Sequence, residues 1–248
     1  MNYAIFLSIL NLILIARLRL ILRDEGISRR DMWIMGVIPL LALPFFSFSI
    51  EWMFLLTYLL VYPPLMLFME RSTQNLNRNR GLLLVLHFLV IGILSSPWAE
   101  LQPNGFSEML ITSAENVLVP GRDITRAELV QVQTFLFGLL MVLNEANIIL
   151  RYLLQVMGLE SLGTKGEEVD QQEYSTGRLI GLLERIFVFL FVLLNQFTAI
   201  GFILAAKGVA RFQDFKSRTF AEYVLIGTLL SALLAMAVAF VVKGVLIL

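Results

Sequence analysis

Long apolar runs separated by short polar connectors make up most of the chain, and runs of roughly 20 residues predict helices that cross a bilayer. The first, in MNYAIFLSILNLILIARLRLILRDEGISRRD, has no basic leader and no small-residue cleavage site, so it is expected to stay attached as the first span. Arg17, Arg19, Arg23, Arg29 and Arg30 follow it, which predicts a cytoplasmic end there and an external N-terminus. Ser28 with Asp31 three positions later predicts a capping box that opens a second run over residues 32–48, kinked at Pro39 and Pro44. SFSIEW turns the chain into a third run over residues 50–69, which Pro63, Pro64 and the polar stretch ERSTQNLNRNR are expected to end. A fourth run, from Gly81 to Ser96, carries His87.

Beyond Glu100 the pattern weakens. Pro103, Gly105, Pro120 and Gly121 bracket FSEMLITSAENVLV, a piece too short to span, which predicts an interfacial or re-entrant helix. Thr125 with Glu128 forms a second capping box, opening a helix expected to run past Asn144, Glu145 and Asn147 to Met157. GLESLGTKGEEVDQQEYS is the most hydrophilic stretch and predicts a solvated loop. One helix is then expected over residues 177–212 and another over 220–247, with Thr219 and Glu222 as a third capping box. The expected organisation is an N-terminal group of about four membrane helices (1–97), an interfacial segment plus a long helix (98–158), a polar loop (159–176) and a C-terminal two-helix membrane module (177–248).

Composition agrees with the pattern. Hydrophobic residues make up 58% of the 248, charged residues 15%, and mean hydropathy is +0.81, which identifies an all-α integral membrane protein. Its length accommodates about six or seven spans of roughly 20 residues. Lys plus Arg and Asp plus Glu number 19 each, so no net basic field recruits nucleic acid. There is no Cys and a single His, which excludes disulfides, thiolate chemistry and sites needing two imidazoles. No G-x-S-x-G elbow, Walker A loop or G-x-G-x-x-G loop occurs, so neither catalysis nor a bound cofactor is expected.

The candidate chemistry lies in polar residues set into apolar helices. In a single helix, Gly177, Gly181, Glu184, Asn195 and Thr198 share one sector, with Arg185 and Gln196 beside it, and such a stripe should face protein or water. Glu184 and Arg185 line a hydrated path in one reading. In the other they lie at the interface and pair with Lys207, Arg211 or Glu222. Lys207 and Arg211, four apart, suit interfacial anchors. Asn144 and Glu145 interrupt another apolar helix, with Arg185 or Arg151 as candidate partners for the acid. His87, alone in its run, suits a hydrogen-bonded packing role. Gly227, Ser231, Ala235 and Ala239 recur every four residues and predict a helix-packing face.

The motifs GRLIGLLERIF, AIGFILAAKGVARF and AEYVLIGTLLS, spread over residues 177–231, resemble the C-terminal membrane module of the bacterial family catalogued as domain of unknown function 3307. The resemblance implies a helical membrane architecture in a bacterial inner membrane and hands over no mechanism.

Two functions from different classes follow as expectations. One is transport or sensing of an ion or small solute through a site lined by Glu184, Arg185, Asn195 and Glu145. The other is a scaffold or accessory subunit whose small-residue face and basic loop bind anionic lipid, a second copy of the chain or a membrane partner protein. Topology carries a conflict: seven spans with an external N-terminus place Lys207, Arg211, Lys216 and Arg218 outside, against the basic-residue bias.

Overall fold

The computed structural model describes residues 2–21, 23–71, 75–99, 101–109, 125–159, 171–210 and 218–247. Among these, every named element is helical, and the β pairing is confined to an isolated bridge between Phe46 and Pro103. Five helical segments are long and apolar enough to cross a membrane: Tyr3–Leu20, Ile50–Met69, Leu76–Leu94, Arg126–Val156 and Ala221–Leu246. The chain divides into two compact units, Met1–Leu140 and Met141–Leu248.

Unit 1 contains α1 (Tyr3–Arg17), α2 (Arg29–Leu40), α3 (Ile50–Met69), α4 (Leu76–Leu94) and α5 (Arg126–Leu140). Its hub is α1, apolar on all sides, which packs against α2, α4 and α5. In α1 56% of the apolar window is buried against 28% in α3, so the first helix lies inside the unit and the third on its outside. The core gathers Ile5, Ile9 and Ile13 with Leu55, Leu59, Tyr62 and Ile91.

Local signals set the helix starts. Ser28 and Asp31 form the capping box at α2, with the Ser28 N–H donating to Asp31 Oδ2 at 3.0 Å. Thr125 and Glu128 do the same at α5, their two bonds measuring 2.9 and 3.2 Å. Ser49 caps α3 by accepting from the Trp52 N–H.

Helix α3 keeps the expected 50–69 bounds, and three other features differ from the pattern-based expectation. The run over residues 32–48 is not one helix: α2 stops at Leu40 and a 3₁₀ turn follows at Leu43–Phe45. Its 12 residues reach about 18 Å, short of the roughly 30 Å hydrocarbon core. Pro63 and Pro64 lie inside α3 and do not end it. Burial against protein makes Pro63 tolerable, since it is enclosed and faces Gly36 of α2, where a Cβ would come within 3.2 Å of the proline ring, whereas Pro64 is exposed. The fourth helix starts at Leu76, five residues before the expected Gly81. Of the expected interfacial helix, 105–109 is helical and 110–124 lies outside the described residues.

One end of unit 1 is tied by a buried ion pair. Arg80 donates through Nε to Glu70 Oε1 at 2.9 Å, and both side chains are at most 2% exposed. The same guanidinium donates to the carbonyls of Arg23 and Glu25 at 3.0 and 2.9 Å, while Glu70 Oε2 accepts the Ile27 N–H at 2.9 Å. Arg17 donates to the Arg80 carbonyl and Asn79 to that of Met69. Gly26 is required here, because a Cβ would lie 2.8 Å from the Glu70 carbonyl oxygen. The ends of α1, α3 and α4 and the loop before α2 thus meet at one pair.

Unit 2 contains a π turn (Met141–Glu145) that continues α5 directly into α6 (Ala146–Val156), then α7 (Gln171–Leu193), α8 (Phe197–Ala210) and α9 (Arg218–Ile247). Gly158, at φ +68°, closes α6. The start of α7 falls within the stretch 159–176 expected to be loop, of which 160–170 lies outside the described residues. Helix α9 begins at Arg218, so Thr219 is inside its first turn and not ahead of it as a cap. Val188, Phe189 and Val192 of α7 are buried, as are Ala235, Ala239 and Val242 of α9, and these two helices make the main packing of the unit.

Replacing Arg80 with Ala strands the Glu70 carboxylate in the interior, and unpairing a buried charge costs about 3–5 kcal/mol. Thermal unfolding in detergent should show that loss, with stability partly recovered in Glu70→Leu/Arg80→Met. Unchanged unfolding of the single variant would refute the central place given to this pair.

Candidate functional site

The single helix expected over residues 177–212 is broken at Leu194–Gln196, and this break creates the site in unit 2. Asn195 adopts φ +58°, a left-handed conformation that asparagine tolerates better than other side chains. The Gln196 N–H returns to the Phe191 carbonyl at 2.7 Å and the Asn195 N–H to that of Val192 at 3.2 Å, which is the Schellman closure of a helix end. Beyond it α8 folds back along α7. The predicted stripe is therefore divided: Glu184 stays on α7, while Asn195 becomes the tip of a hairpin and Thr198 begins its return arm.

The fold-back brings Lys207 beside Glu184, with Nζ donating to Oε2 at 2.5 Å. Lys207 is thus the partner that the interfacial reading names for Glu184, its side chain 16% exposed. Arg211 lies outside the described residues. Across the hairpin tip, Lys243 of α9 donates to Asn195 Oδ1.

Arg185 does not pair with its neighbour Glu184. About 100° of helical rotation sends it the other way, into the interior, where it is 5% exposed. Its Nε donates to the Val142 carbonyl at 3.3 Å and Nη1 makes a long 3.5 Å contact with Ser231 Oγ. Val142 lies in the π turn, whose widened ladder gives a side chain access to a backbone acceptor. The turn also contains Asn144 and Glu145, which are 1% and 0% exposed. Asn144 Nδ2 donates to Glu145 Oε1 at 2.8 Å, and Asn144 Oδ1 has no partner among the described residues. Glu222 is exposed at the start of α9, away from this interior.

Helix register fixes the height of this cluster. Ser231, which meets Arg185, lies nine residues after Glu222 and twelve before Lys243, or about 14 and 18 Å along α9. Within the apolar Ala221–Leu246 span, the guanidinium therefore meets α9 well inside its length. Ser231, Ala235 and Ala239 are buried on the face where α9 packs, while Gly227 is half-buried with open space at its missing Cβ.

Unit 1 has a second buried polar group. His87 is fully enclosed, with Nδ1 2.5 Å from the Tyr58 hydroxyl and its ring edge-on to Tyr62 at 4.9 Å. Tyr62 donates to the Met35 carbonyl. Asn11 of α1 donates to the Gln133 carbonyl at 3.0 Å and Gln133 Nε2 to Ser8 Oγ at 2.8 Å, joining α1 to α5. The sequence pattern assigns Glu70 and Arg80 to a polar cytoplasmic loop, whereas the structure buries both, and it singles out neither Asn11 nor Gln133. The available signal was Asn11, a lone amide in a run of Leu and Ile.

Among the described residues no group of three His, Asp or Glu side chains is placed to hold a metal. The chain matches no family model, no curated protein and no solved structure.

Asn195→Gly keeps the left-handed turn and removes only the Lys243 contact, whereas Asn195→Val also opposes the backbone, at about 1–2 kcal/mol. Thermal unfolding should rank wild type above Gly and Gly clearly above Val. Equal values for Gly and Val would show that the turn does not depend on residue 195.

Proposed function

We propose that this chain is a multi-pass protein of a bacterial inner membrane that moves or senses an ion or small solute, with unit 2 carrying the site. One observation carries the reading: Glu145 and Arg185, from separate helices, are both enclosed deep within an apolar helical unit, around a π turn. Ionisable groups at such depth are expensive and mark pathways and switches, and π turns concentrate at functional positions. As a hairpin, α7 and α8 go in and return, which makes two crossings beside the five long spans and a total of seven. The bacterial inner-membrane placement rests on the motif resemblance over residues 177–231.

Each charged group has an alternative to choose between. Arg185 holds a backbone carbonyl and a serine hydroxyl, ligands it can release without leaving a bare carboxylate behind. Glu184 and Lys207 can separate when a proton or cation takes the lysine's place. The scaffold reading is weaker because Ser231, Ala235 and Ala239 are already covered within the chain, leaving that part of the face unavailable to a partner.

Absence of native cysteine makes the test clean. Ser231→Cys and Asn144→Cys in native membranes should react with a small cationic thiol reagent, showing that water reaches the Arg185 level. Glu145→Gln and Arg185→Gln should reduce ion flux in proteoliposomes to background. No reaction at either cysteine, with Lys243→Cys reactive in the same membranes, would remove the transport reading.

A further inference from the structure

We propose that the arginine-rich end of unit 1 is a binding site for anionic phospholipid headgroups. This inference rests on the membrane character of the long helices and is independent of ion movement through unit 2. The Glu70–Arg80 pair draws four chain segments together, and the residues flanking the gathered positions are arginines: Arg29 and Arg30 follow Ile27, Arg71 follows Glu70, and Arg78 precedes Arg80. All four are exposed, and none forms an ion pair among the described residues. Residues 17–31 and 69–80 together contain eight arginines against four acids. Of those acids, Glu70 holds Arg80 and Asp31 holds Arg19 and Arg23, and Asp24 and Glu25 are exposed near the rim.

The residue type and the surface beneath it select the occupant. Every cation here is a guanidinium, whose planar fork matches phosphate oxygens and keeps its charge at an interface. The exposed face of α2 then reads Arg29, Trp33, Val37, Leu41 in steps of four residues, about 6 Å each. That order is a cation, an interfacial aromatic and an apolar stem, spread over about 18 Å, close to the depth of one leaflet. Helix α4 sets Arg78 above an exposed apolar stem of Leu82, Val85 and Leu89, without the aromatic. Just past the end of α3, the Arg71 guanidinium lies 5.8 Å over the exposed Phe68 ring. A soluble phosphate would use the rim alone. A phospholipid uses the rim and the apolar faces below it, and so fits more of the surface.

The full-length protein in a non-ionic detergent is titrated with phosphatidylglycerol, with phosphatidylcholine and with inorganic phosphate while Tm is followed. Phosphatidylglycerol at about a hundredfold excess over its Kd should raise Tm by about 5 °C or more, with little effect of the other two. The shift should vanish in Arg29→Gln/Arg30→Gln/Arg71→Gln/Arg78→Gln and persist in Arg126→Gln, an exposed arginine elsewhere. Equal shifts with both lipids, persistence in the quadruple variant, or loss in Arg126→Gln would overturn the site. Inorganic phosphate reproducing the shift would overturn the lipid as occupant. Should the quadruple variant not fold, Arg29→Gln and Arg78→Gln singly must each weaken the shift, and unchanged shifts in both would overturn the site.

Discussion

A charge taken out of water needs a partner at once, and in a chain this apolar that requirement decides which helices become neighbours. Leucine and isoleucine faces of membrane helices are nearly interchangeable, because lipid tails are as apolar as the side chains themselves. Glu70 and Arg80 are not interchangeable with anything: each demands the other, and their remaining donors and acceptors demand the carbonyls and N–H groups of the loop before α2. The pair adds little by way of net attraction, since burying two ions offsets most of what their contact returns. What it supplies is uniqueness of arrangement.

Unit 2 applies the same constraint to a helix that cannot remain straight. A continuous helix over residues 177–212 would carry Lys207 more than 30 Å from Glu184 at 1.5 Å per residue. The left-handed Asn195 converts that separation into a contact of 2.5 Å. Arg185, one position along, points into the interior and takes a π-turn carbonyl. A sub-optimal backbone turn and a guanidinium held by neutral ligands are two halves of one arrangement.

How much of this can be read from the chain depends on the range of the cause. The capping boxes at Ser28 and Thr125 are local, complete within four residues, and legible in sequence. The helical, membrane-spanning class follows from long apolar runs and is equally plain. The polarity of Glu145 and Arg185 marks them as special, but their depth depends on the register between α7 and α9, which no periodicity encodes. Asn195 shows the limit most clearly: its place in a stripe assumes an unbroken helix, and a single positive φ dissolves the stripe. Pro63 misleads in the opposite sense, since a breaker in water is tolerated where neighbouring helices cover the backbone. Glu70 and Arg80 look like ordinary loop charges because the contacts that bury them come from elsewhere in the chain.

The bond between Asn11 and Gln133 joins residues 122 apart in the chain. Synthesis at about 5–20 residues per second separates their emergence by roughly 6–24 seconds. Throughout that interval α1 is in place without the helix that satisfies its amide. An exposed asparagine amide in a nascent membrane helix is a handle, and whatever accompanies the chain during insertion has that long to hold it.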